Sequence, residues 1–115
     1  MKKIAVLIRR PPLNTILNAE ALRVSVGMTL RDDRVSVIFI GDGVWSASAN
    51  LDPAKIGRRD SKKEFDVLKM LKCRLIADRA SFESRGAGEP VPGVELVARS
   101  EVIRTLNESD IVIPF

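Results

Sequence analysis

The residues predict an α/β protein: a single-domain three-layer sandwich with a five-stranded, mainly parallel sheet and helices on both faces. Three observations carry that reading. Short, nearly continuous apolar runs recur along the chain, as in KIAVLI, VSVIFI and DIVI, and strands apolar on both sides belong to sheets covered on both faces. Between them fall stretches whose apolar residues recur at helical spacing. Strands that alternate with helices need crossover connections, and crossovers give parallel pairing. The chain's 115 residues, 45% of them apolar, suit one domain spanning 1–115 with a real core.

The first strand is expected at residues 3–9. Pro11 and Pro12 end it, because a residue before proline prefers extended or turn backbone. Residues 13–30 read as a helix with Leu13, Ile16, Leu17, Ala21, Leu22 and Leu30 near helical spacing, capped by Asn14 or Thr15. A polar turn at 31–34 leads to a second strand at 35–40. Residues 43–52 look like a short helix or turn, and 53–59 like an exposed loop. Residues 61–72 form an amphipathic helix with Phe65, Leu68 and Leu71 on one face, and Ser61 followed by Glu64 matches a capping box. A third strand is expected at 73–77, a short helical turn at 80–85 stopped by Gly86, and a rigid loop at 87–93. A strand at 94–98, a helix at 100–108 capped by Ser100, and a last strand at 110–113 complete the set. Right-handed crossovers follow from the general handedness of parallel units.

Composition removes most chemistries. There is no histidine, so the usual zinc ligands, the neutral-pH general base and the common triads are lacking. Cys73 is the single cysteine and cannot form an internal disulfide, which fits a cytoplasmic setting. Paired acids at metal-binding spacing do not occur, and neither a metal nor a cofactor is expected. The opening Met1-Lys2-Lys3 and its apolar run imitate an export signal, but Arg9 and Arg10 stop the run too early. No apolar run approaches the roughly 20 residues of a membrane span.

Charge is uneven. The net charge is +4, with residues 55–85 carrying ten Lys/Arg against five Asp/Glu and residues 86–115 carrying two against five. Two surfaces of opposite sign facing partners are one reading, and a solvated surface is the other. Lys55, Arg58, Arg59, Lys62 and Lys63 make a basic patch without stacking aromatics, so direct nucleic-acid binding is not expected.

Candidate functional residues cluster after the second and third strands, where parallel sheets place their working surface. Gly41-Asp42-Gly43 forms a tight turn that either holds an anion, faces a partner or is structural. Trp45 is either a core or an interface anchor. Asp42 and Asp78 both fall near strand ends and are expected to converge, with Arg79 and Arg85 beside the third strand's end. Gly41, Asp42, Gly43, Trp45, Asp78 and Arg79 are therefore the expected interface residues. Cys73 is a weak nucleophile candidate: Lys69, Lys72 and Arg74 would lower its pKa, yet it precedes or opens the third strand, at the end opposite the usual active edge.

Four segments resemble the DsrE/DsrF/DsrH sulfur-relay family, and most of all its DsrF/TusC-type subunit. They are KIAVLIRRPP, VIFIGDGVW, FDVLKMLK leading to LIADRASFESRG, and the closing NESDIVIPF. Each is loose, but their order, spacing and span of nearly the whole chain are specific together. The resemblance implies a compact DsrEFH-like fold and assembly with DsrE/TusD-like and DsrH/TusB-like sister subunits into a dimerised heterotrimer, with self-association as the alternative. It also implies a place in persulfide transfer between protein cysteines, serving either 2-thiouridine synthesis in transfer RNA or dissimilatory sulfur oxidation. In the DsrE/TusD type, the sulfur-accepting cysteine ends the third strand. Counted back from Ser84-Arg85-Gly86, that place here is Asp78 or close to it, and Cys73 lies too early to be equated with it. The resemblance thus implies a non-catalytic partner. A stand-alone homo-oligomer and a sulfur carrier using Cys73 remain the alternatives.

Overall fold

The computed structural model describes residues 2–9, 17–29, 34–48 and 62–115. Its strands are β1 (Lys3–Ile8), β2 (Arg34–Phe39), β3 (Arg74–Asp78), β4 (Glu95–Val97) and β5 (Ile111–Pro114). Its α-helices are α1 (Leu17–Thr29), α2 (Lys62–Met70), α3 (Arg79–Ser84) and α4 (Arg99–Glu108), with a 3₁₀ helix over Gly41–Ala47. The sheet order is β4-β3-β2-β1-β5, and every neighbouring pair is parallel. The α/β sandwich expected from the sequence is what forms.

The order of strands explains where the helices go. From β1 to β4 the chain moves steadily one way across the sheet, and right-handed crossovers then put each connection on one face. From β4 to β5 it jumps to the far edge in the opposite sense, which sends α4 to the other face. The two cores obey this division. Ile4, Val6, Ile8, Val35, Val37, Phe39, Leu75 and Ala77 pack with Ala21, Val44, Phe65, Leu68 and Phe82 on the first face. Ala5, Ile38, Ile76 and Val97 pack with Val102 and Leu106 of α4 on the second. Alternate residues of one strand serve opposite cores because strand side chains have a period of two.

Several boundaries differ from the sequence reading, each for a local reason. The turn after β2 is itself helical, because the 3₁₀ helix begins at Gly41 (φ +59°) rather than at Gly43. β3 runs on to Asp78 and starts at Arg74, so that of the two expected placements Cys73 takes the one just before the strand. The last helix starts one residue earlier than expected, and Ser100 is not its cap. Ala98 is the cap residue, without a side-chain bond, and its carbonyl already accepts from the N–H groups of Glu101 and Val102 at 3.0 and 3.3 Å. In α2, Phe65 and Leu68 are buried as expected and Leu71 is half-buried. Phe65 stacks on Phe39 of β2 with ring centroids 5.9 Å apart.

The expected caps Asn14 and Thr15, the turn at 31–33, the basic loop with Lys55, Arg58 and Arg59, and Ser61 lie outside the described residues. So do the side chains of Lys62, Lys63 and Glu64. Among the described residues, no helix is long and apolar enough to cross a membrane.

Candidate functional site

The C-terminal ends of β3 and β4 lie where the connections change sides. The chain leaving β3 enters α3, whose Phe82 belongs to the first core. The chain leaving β4 enters α4, whose Val102 belongs to the second. Ligands of open parallel sheets sit outside the strand ends at such a switch point. Asp78 and Val97, register partners at the ends of these strands, put Asp78 there.

Asp78 has two roles. It caps α3: its Oδ2 accepts from the Ser81 N–H at 3.1 Å and the Ser81 hydroxyl at 2.6 Å, which satisfies a donor the short helix would otherwise leave open. The same oxygen accepts from Arg99 Nε at 3.2 Å and Nη2 at 2.6 Å. The Asp78 side chain is fully buried, whereas that of Arg99 is 55% exposed. Its other oxygen, Oδ1, is buried and meets no donor. Burial pushes the carboxyl pKa up, but the bonds from Arg99 and Ser81 and the charge of Arg99 outweigh burial and hold it below the usual carboxylate value. Asp78 is therefore an ionised, buried carboxylate at neutral pH.

The neighbouring loops are tied to this pair. Ser81 Oγ accepts from the Gly41 N–H at 3.1 Å, so the turn after β2 is joined to Asp78 through one hydroxyl. Asp42 is exposed and pairs with Arg85 Nε at 2.9 Å; it does not meet Asp78. Such exposed pairs contribute little to stability. Gly43 is buried against the end of β1, where a Cβ would lie 2.1 Å from the Ile8 carbonyl oxygen. Trp45 is half-buried against the first core. Arg79 is exposed, and its Nη2 donates to the Leu96 carbonyl at 3.1 Å. Arg79 thus reaches from the β3 side to β4, and Arg99 from the β4 side to β3.

Cys73 lies at the opposite end of the sheet. It is half-buried and its thiol donates to the Val35 carbonyl at 3.1 Å. The expectation that basic neighbours lower its pKa is overturned. Burial pushes the thiol up to about 12, with a backbone bond from Val37 opposing only in part. Lys69 is the partner of Asp66 and Arg74 that of Glu101, so those cations are engaged elsewhere.

Two members of the site, Ser81 and Arg99, were not foreseen. Asp78-Arg79-Ala80-Ser81 is a local cap pattern legible in principle. The meeting of Asp78 with Arg99 depends on β4 lying beside β3, which no local pattern encodes.

Fold and site together define a small parallel α/β protein whose switch point is closed by an ion pair instead of carrying a thiol. The chain matches the family model described as the DsrE/DsrF-like family over residues 2–115 and belongs to that family. It is similar to the "Intracellular sulfur oxidation protein DsrF" of Allochromatium vinosum, 31% identical and covering 100% of this chain and 97% of that protein. It is also similar to "Protein TusC" of Klebsiella pneumoniae, 27% identical with 100% of both covered. Among solved structures, the ychN protein from E. coli superposes with a TM-score of 0.86 at 16% identity, covering 100% of both chains; at that identity the likeness speaks for the fold alone.

Proposed function

We propose that this chain is a non-catalytic subunit of a cytoplasmic sulfur-relay complex, supporting persulfide transfer between the cysteines of other proteins. One observation carries the reading: the end of β3 holds a buried, ionised Asp78 locked to Arg99. A carboxylate cannot accept a persulfide sulfur, whereas a low-pKa thiol can. Likeness to proteins named DsrF and TusC supports the sulfur-relay setting. Its partners are then DsrE/TusD-like and DsrH/TusB-like sister subunits, with Gly41, Asp42, Trp45 and Arg79 near their contact surface; Gly43 and Asp78, expected there as well, are buried and offer a partner no side-chain surface. The relay ends in transfer-RNA thiolation or in sulfur oxidation according to those partners.

Native mass spectrometry tests the assembly, with the chain alone and after co-expression with its genomic neighbours. A heteromer containing a cysteine-bearing sister is expected. A stable homo-oligomer that ignores the neighbours would replace this reading with the stand-alone one. The carrier alternative is opposed by the raised pKa of Cys73. In the reconstituted complex, Cys73→Ser should leave persulfide transfer unchanged; a loss of transfer without loss of assembly would restore the carrier reading.

A further inference from the structure

One hydroxyl ties three strand ends together. Ser81 is buried, and a serine hydroxyl can donate one hydrogen bond and accept two. All three places are used. The O–H donates to Asp78 Oδ2, at the end of β3, at 2.6 Å. The oxygen accepts from the Gly41 N–H, beyond the end of β2, at 3.1 Å. It also accepts from Arg99 Nη2, beyond the end of β4, at 3.4 Å. Its donor points at a buried, ionised carboxylate, which fixes the hydroxyl's rotation and strengthens its oxygen as an acceptor.

The turn after β2 needs an acceptor from elsewhere. The 3₁₀ helix that begins at Gly41 has Ile40 as its N-cap residue, without a side-chain bond, and the first amides of a helix start without partners inside it. Ser81 supplies the Gly41 amide with one from 40 residues further along the chain. The later part of the turn is fixed by its own packing. The Gly43 amide bonds to the Ile40 carbonyl at 3.0 Å, and Gly43, Val44 and Ala47 are buried. What remains is the Gly41-Asp42 corner. Arg85 Nε holds Asp42 at 2.9 Å, but that pair is exposed and such pairs contribute little. The buried bond from Gly41 to Ser81 is the one that sets the corner.

We infer that Ser81 is a positioning residue for partner docking: it fixes the Gly41-Asp42 corner on the Asp78–Arg99 pair and presents it in one arrangement. Gly41 and Asp42 belong to the contact surface of the subunit reading above, on which this inference rests. A corner already held before contact loses less freedom on binding. A released corner lets the partner leave sooner, since most losses of affinity fall on the dissociation rate.

Amide hydrogen exchange of the full chain, wild type and Ser81→Ala, gives the first reading. Gly41 should exchange more than about tenfold faster in the variant. Val37 and Phe39 should change only by the smaller factor that a general loss of stability gives. The second reading is the lifetime of the co-expressed heteromer, followed by subunit exchange in native mass spectrometry. Ser81→Ala should shorten it about fivefold. Thr105→Ala serves as the stability control. That buried hydroxyl bonds to Arg74 and to the Glu101 carbonyl, away from the corner. Its loss should lower the thermal midpoint, move Gly41 only in step with Val37 and Phe39, and leave the lifetime as it was. A Gly41 rate in Ser81→Ala that merely follows Val37 and Phe39 would overturn the inference. So would a heteromer whose lifetime ignores Ser81→Ala, or one that Thr105→Ala shortens equally; each leaves the subunit reading standing. No heteromer with the wild-type chain overturns the subunit reading instead, and Gly41 exchange then still decides whether Ser81 sets the corner.

Discussion

Lys72 occupies left-handed backbone at φ +59°, where side chains are disfavoured and glycine is at ease. It does so to end α2. The N–H of Lys72 bonds to the Lys69 carbonyl and that of Cys73 to the Leu68 carbonyl, both at 3.0 Å, which is the Schellman pattern. The equivalent position after α3 is Gly86 at φ +61°, with the Ala87 and Gly86 amides closing the same pair of bonds to Phe82 and Glu83 at 3.1 Å. Lys72→Gly is therefore expected to stabilise the chain by about 0.5–1 kcal/mol, as relief of strain exceeds the added freedom of the unfolded chain. Urea titration checks this, and an unchanged or lower midpoint contradicts it. Cys73 offers a second residue-scale expectation. Its folded pKa, about 12, lies above the ordinary 9.0, so its preference for the folded state holds below pH 9 and is lost as pH rises towards 12. Iodoacetamide at pH 8 should modify it slowly in the native chain and fast in denaturant. Equal rates in both states would show an accessible thiolate.

At the scale of the element, α4 is held to β3 by charge as well as by Val102. Arg74 Nη2 donates to Glu101 Oε1 at 2.7 Å and Arg74 Nη1 to Thr105 at 3.1 Å. Arg104 Nε donates to Glu101 Oε2 at 2.9 Å. These bonds, Arg104 first and Arg74 second, lower the Glu101 pKa from 4.5 to about 2. The folded carboxyl thus binds its proton less readily than the unfolded one. Its contribution is present above pH 4.5 and fades as pH falls towards 2. Glu101→Gln should lower the thermal midpoint at pH 7 and shrink the loss of stability between pH 4.5 and 2. Parallel melting curves for both chains throughout that range would sink the assignment.

For the whole molecule, the sheet's asymmetry sets an order of local stability. β2 and β1 are flanked on both sides, whereas β4 is a three-residue edge and β5 an edge whose Ile111 and Val112 are exposed. Amides of Val37, Phe39 and Val6 should exchange slowest, at rates near global unfolding, and those of Leu96 and Val112 much faster. Uniform protection across the five strands would contradict this. Pro114 lies in β5 and has no N–H to offer a further strand, which blunts that edge against unwanted pairing.

Much of the fold was legible in the residues because strand and helix patterns are local. VSVIFI cannot avoid burying both faces, and FDVLKM places Phe65 and Leu68 on one side at helical spacing. Boundaries moved where backbone bonds outweighed side-chain cues, as when the Ala98 carbonyl took over the start of α4 from Ser100. The role of Gly43 was hidden for another reason: its lack of a side chain matters only because the end of β1 lies against it. The sequence by itself determined the α/β class, the alternation of elements, the lack of histidine chemistry and the carboxylate at position 78. Only the tertiary structure decided that Asp78 is buried, that Arg99 closes over it, and that burial raises the Cys73 pKa despite basic neighbours. Burial and ion pairing depend on which strands lie side by side, and here a crossover from one sheet edge to the other makes that choice.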